Sequence, residues 1–66
     1  MTEAEEQILR AKLAELMQEH RDLDTAIQAM ADTGVNDQLQ LSRMKKRKLQ
    51  LKDLITQIND KLLPAI

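Results

Sequence analysis

The stretch Asp32-Thr33-Gly34-Val35-Asn36-Asp37 decides how this chain folds. It holds the one glycine of the sequence, and glycine reaches the left-handed backbone region that commonly ends helices. The Asp, Thr and Asn around it favour turns, because their short polar side chains bond nearby backbone groups. Asp37-x-x-Gln40 then reads as a capping box that opens a new helix, with Asn36 as a rival cap. A reversal of the chain over 32–37 is therefore expected. A single continuous helix would carry Gly34 in its interior at a cost of about 1 kcal/mol and would override this turn chemistry.

On either side the sequence reads as helix. Thr2-x-x-Glu5 is a capping box at the start, and Glu3, Glu5 and Glu6 suit the positive end of a helix dipole. The first helix is expected over about 3–31, a stretch with no Gly or Pro. The second is expected over about 38–62. Pro64 disfavours helix at the residue before it, and Lys61 places a cation in the last turn.

Both segments carry a stripe of the coiled-coil kind. In the first, Leu9, Leu13, Leu16, His20, Leu23, Ile27 and Met30 alternate in steps of four and three. In the second, Leu41, Met44, Lys48, Leu51, Ile55, Ile58 and Leu62 do the same. Leu13, His20 and Ile27 are heptad a positions of the first helix, and Leu41, Lys48, Ile55 and Leu62 those of the second. Antiparallel seams pair a with d. The pairs Met30/Leu41, Ile27/Met44, Leu23/Lys48, His20/Leu51, Leu16/Ile55, Leu13/Ile58 and Leu9/Leu62 have residue numbers that each sum to 71. That common sum puts the reversal at 35.5, inside the independently read turn. The agreement of two stripes and one turn predicts an all-α fold, a two-helix antiparallel coiled-coil hairpin, as a single unit over 1–66.

Composition narrows the function classes. A chain of 66 residues with no Cys and no aromatic side chain builds a thin aliphatic seam rather than a bulky core. The absence of Cys removes disulfides and thiolate metal sites, and one His cannot make a multi-histidine site. No nucleophile–base pair, phosphate-cradling glycine loop or metal motif occurs, so no catalytic residue, cofactor or metal is expected. The acidic start is the opposite of a signal-peptide n-region, and no apolar run approaches the ~20 residues of a membrane span. A cytoplasmic protein is expected.

The net charge of −1 hides an asymmetry. Residues 1–37 carry nine acidic and three basic side chains, whereas residues 38–66 carry seven basic and two acidic. Two complementary halves favour packing against each other.

Two polar residues interrupt the stripes. His20 reads as a polar register-setter, with a pH switch or an i, i+4 ligand pair with Asp24 as sharper alternatives. One His and one Asp supply too few ligands to hold zinc. Lys48 can pack its stem on Leu23 and send its ammonium toward Asp22, Asp24 or Glu19. The basic patch Arg43, Lys45, Lys46, Arg47 and Lys52 has the composition of a nucleic-acid contact. On a helix, however, Arg43, Lys46 and Arg47 spread over c, f and g, while Lys45 and Lys52 fall at e. No aromatics interleave for base stacking. A solvated face compensated by the acidic first helix is the simpler reading.

Two segments carry a resemblance. One is Leu16-Met17-Gln18-Glu19-His20-Arg21-Asp22-Leu23-Asp24-Thr25-Ala26-Ile27. The other is Met44-Lys45-Lys46-Arg47-Lys48-Leu49-Gln50-Leu51-Lys52-Asp53-Leu54-Ile55, with Met44 where Leu is usual. Together they resemble the YdcH-like family of small bacterial proteins. The resemblance implies a short bacterial helical hairpin without an established biochemical activity. It carries over no catalytic residue, and it marks His20, Asp24, Lys48 and Asp53 as the polar positions to test.

Ile8, Met17, Leu49, Leu54 and Leu63 fall beside the seam. So much spare apolar surface on so small a chain points to self-association, most simply a two-fold dimer, or to another protein partner. The expected function is a small non-enzymatic interaction or regulatory (adaptor) hairpin. The alternative is a nucleic-acid-binding module using segment 43–52.

Overall fold

A computed structural model describes residues 1–34 and 37–63. Two helices fill it, α1 over Glu3–Thr33 and α2 over Gln38–Leu62. They lie antiparallel as a hairpin in a rod measuring 48 × 18 × 17 Å. At ~1.5 Å per residue, the 31 residues of α1 account for the long axis.

The caps explain where each helix begins. The Glu5 backbone N–H donates to Thr2 Oγ1 at 3.2 Å. The other half of this box differs from the expected one. The Glu5 carboxylate accepts from the Thr2 hydroxyl at 3.1 Å rather than from the Thr2 amide. At α2 the Gln40 N–H donates to Asp37 Oδ1 at 3.0 Å, so Asp37 is the cap. Asn36, the rival, and Pro64, the expected stop, lie outside the described residues. Leu63 adopts an extended backbone, φ −79° and ψ 135°, the conformation expected of a residue before proline.

Helix α1 runs two residues beyond the expected end at 31. Asp32 and Thr33 remain helical up to the Gly34 cap, and the Thr33 hydroxyl donates to the carbonyls of Ala29 and Met30, at 2.9 and 3.3 Å. Gly34 then ends the helix in the left-handed conformation at φ 71°, its N–H directed to the Ala31 and Met30 carbonyls. A Cβ at Gly34 would meet nothing within 4 Å, so only the backbone conformation demands glycine there.

The core follows the two stripes. Leu51 is wholly buried, with Leu16 and Ile58 beside it, and Leu9, Leu13, Leu23, Ile55 and Leu62 pack against these three. His20 and Lys48, the polar members of the stripes, are half-buried. No helix among the described residues is long and apolar enough to cross a membrane.

Two substitutions test this account. Leu51→Ala is expected to cost about 2–5 kcal/mol, comparable with the whole stability of so small a chain, and to abolish most helical circular dichroism at room temperature. Leu39→Ala, at a site 63% exposed, should leave it within ~0.5 kcal/mol. Gly34→Ala should cost about 1 kcal/mol, the strain of a left-handed alanine, with Gly34→Asn closer to wild type. Equal melting curves for Gly34→Ala and wild type would refute the assigned turn.

Candidate functional site

The two sides of the seam are chemically different. On one side, heptad positions a, b and e of both helices enclose an open groove of about 760 Å³. Met17, Ile27, Leu49 and Ile55 give it apolar walls. His20, Arg21, Asp24, Lys45, Lys48 and Lys52 are its polar lining. The side chains expected to interrupt the seam therefore meet the e-position lysines in one place.

Within this groove Lys48 Nζ donates to Asp24 Oδ1 at 2.6 Å. Of the three expected acceptors Asp24, at heptad e, is the one on this side of the seam, whereas Asp22 at c lies on the outer face and Glu19 at g lies on the other side. Asp22 accepts from Gln18 one turn earlier, at 2.9 Å. Glu19 receives Arg47 across the other side of the seam, with Nε to Oε2 at 2.7 Å and Nη2 to Oε1 at 3.3 Å. A fork of two donors on one carboxylate is the geometry arginine holds best. These cross-helix pairs link the acidic first half to the basic second half at its middle and tie the two helices in register.

Both contacts favour ionised carboxylates. The Arg47 hydrogen bond holds Glu19 below its ordinary value, the charges of Arg47 and Lys12 add to it, and desolvation opposes them. For Asp24 the Lys48 hydrogen bond is the main cause, followed by the Lys48 charge, with desolvation opposing and His20 adding in the lowering direction. The Glu19 hydrogen bond correspondingly raises Arg47.

Not every candidate residue reaches the groove. Arg43, Lys46 and Asp53 are exposed and enter no ion pair among the described residues. Arg47 lies on the opposite side, paired with Glu19. The proposed His20–Asp24 ligand pair has no further partner, since no group of three or more His, Cys, Asp or Glu side chains gathers among the described residues. The Glu19–Arg47 fork was not foreseen. Both residues sit at heptad g, and antiparallel helices bring g to face g, so the positions carried the signal. A second, smaller hollow lies at the end of the rod where α1 begins and α2 ends, among Met1, Glu5, Ile8, Leu9 and Lys61.

Fold and site together define a small helical hairpin with a groove of apolar and cationic side chains along one edge of its seam. The profile of one family, described as Protein of unknown function (DUF465), matches residues 13–59, and the chain belongs to that family. The matched span contains the whole groove and both cross-helix ion pairs. No curated protein and no solved structure matches the chain.

Acid should weaken the hairpin through Glu19 and Asp24. Their carboxyls are lowered in the folded state, so the stability they contribute is present above the ordinary carboxylate range, near pH 4–4.5. It is lost as pH falls through and below that range. The melting temperature is expected to drop between about pH 6 and pH 3, and Glu19→Gln with Asp24→Asn should flatten that slope. An unchanged slope in the double variant would show that the two bridges contribute nothing in solution.

Proposed function

We propose that this hairpin is a small, non-enzymatic, cytoplasmic protein of bacteria that works by offering its helix pair to another protein chain, a second copy included. One observation carries the reading. Among the described residues three apolar side chains are buried, while seven large ones, including Ile8, Met17, Leu49 and Leu54, are exposed. The hairpin itself thus covers little of its apolar surface, and Met17 and Leu49 come together in one groove, which supports an interaction site. The groove supports the same reading, because it is an open trench along a helix pair and not an enclosed cavity in which a reacting group would be desolvated.

Nucleic-acid binding through segment 43–52 has less behind it. Arg47 and Lys48 are engaged by Glu19 and Asp24, and no aromatic side chain is present to stack on a base.

Site-specific photo-crosslinking in the native host tests the proposal, with the crosslinker at Leu49, at Ile8 and, as a control on the outer face, at Lys46. Discrete protein adducts from Leu49 or Ile8, and none from Lys46, are expected. Adducts to nucleic acid alone, or none from any position, would overturn it. Light scattering on the purified chain addresses self-association. A mass of twice the 7.6 kDa chain is expected at high micromolar concentration, and a strict monomer there would restrict the proposal to foreign partners.

A further inference from the structure

The lining of the groove specifies more than a generic partner. Resting on the interaction reading above, we propose that the groove between α1 and α2 receives a third helix, an acidic amphipathic α-helix from a different protein, which turns the hairpin into a three-helix bundle.

Shape comes first. The groove is bounded by residues 17–27 on α1 and 45–55 on α2, about 15 Å on each helix, or roughly three helical turns. Its length and open face suit a helix laid along the pair, the arrangement in which amphipathic helices dock into grooves. Packing supplies the second argument. Ile27 and Ile55 belong to the seam yet stay half-buried, and Met17 and Leu49 beside them are 44% and 65% exposed. A third helix with an apolar stripe would cover all four, whereas the two-helix fold leaves their groove side open.

Charge selects the sign of the partner. Four cations, Arg21, Lys45, Lys48 and Lys52, line the groove against one carboxylate, Asp24, and Lys48 already neutralises that carboxylate. Arg21, Lys45 and Lys52 form no ion pair among the described residues. The groove is thus cationic on a chain whose net charge is −1. Acidic residues flanking the stripe of an incoming helix would meet these cations, and a basic helix would be repelled. The same cations disfavour a two-fold pairing of two copies through this face, because the axis would set one cationic lining against the same cationic lining of the other copy. The apolar walls, in turn, have no role in gripping a phosphate backbone.

The test uses the full chain and three fluorescein-labelled peptides of about five helical turns. One carries a Leu stripe flanked by Glu, the second has Lys in place of Glu, and the third is a scramble of the acidic peptide. By fluorescence anisotropy the acidic amphipathic peptide should bind at least about tenfold more tightly than either of the others. Lys45→Glu with Lys52→Glu should invert the preference between acidic and basic peptides. Leu49→Ser should weaken the acidic peptide about tenfold or more. All three substituted positions are exposed, so helical circular dichroism and melting temperature should hold and certify the variants. Equal binding of the scramble would reduce the effect to net charge and overturn the groove. So would an unchanged preference in the Lys45/Lys52 variant, or tighter, steeply salt-dependent binding of an oligouridylate. A homodimer that dissolves on Leu49→Ser would assign the groove to a second copy and likewise overturn the foreign helix. If the peptides fail while Ile8 still yields protein adducts in cells, the third helix is wrong and the interaction reading survives. If both fail, neither survives.

Discussion

Burial of Leu51 between the two helices is the contact the rest of this molecule depends on. A chain of two helices has only one internal interface, so whatever is not buried there is not buried at all. Leu51 alone is fully enclosed, with Leu16 and Ile58 as its neighbours and five half-buried aliphatic residues around them. Without aromatic side chains or disulfides, nothing else supplies comparable stabilisation. The caps at Thr2 and Asp37 and the glycine at the end of α1 each contribute on the order of 1 kcal/mol. They decide where the helices begin and end, but they do not hold them together.

Polar side chains in the seam specify alignment more than they add stability. A heptad slip would unwind helix at the short turn and uncover the buried leucines, and it would also part Lys48 from Asp24. Lys48 finds Asp24 and Arg47 finds Glu19, one bridge on each edge of the interface. Exposed bridges of this kind contribute little to net stability, yet a slipped register would break both. Placing His20 and Lys48 in the seam does not unseal it, since Leu51, the stripe partner of His20, is fully enclosed. The groove opens beside the seam, where side chains at b and e flank it.

Much of this was legible in the sequence. The alternation of apolar residues in steps of three and four, and a turn lying at the common midpoint of the two stripes, determine a hairpin with little ambiguity. Family membership follows from the same residues that form the seam. Helix ends were less legible. Thr33 is a turn former by composition but is helical here, because the left-handed Gly34 that ends the helix comes only after it. Asp24 as the partner of Lys48 was legible from position, because it sits at e on the lysine side of the seam while Asp22 sits at c and Glu19 at g. The groove itself was only half visible. Met17, Lys45 and Lys52 at e and Arg21 and Leu49 at b could all be placed on one side of the seam, but how wide the groove stands open depends on the separation of the two helices, which no periodicity encodes.

The distribution of burial along the rod has a consequence of its own. All three buried residues lie well away from the reversal, while Ile27, Met30, Leu41 and Met44, which flank it, are half-buried. Near the bend, covalent linkage keeps the two strands of the seam at high effective concentration, so loose packing suffices. Farther out that tether slackens, and the enclosed Leu16, Leu51 and Ile58 take its place, with the half-buried Leu9 and Leu62 at the far end. A protease that nicked the bend would remove the tether and leave the distal clasp to hold two separate pieces, so the integrity of this short connection governs the molecule's persistence out of proportion to its length.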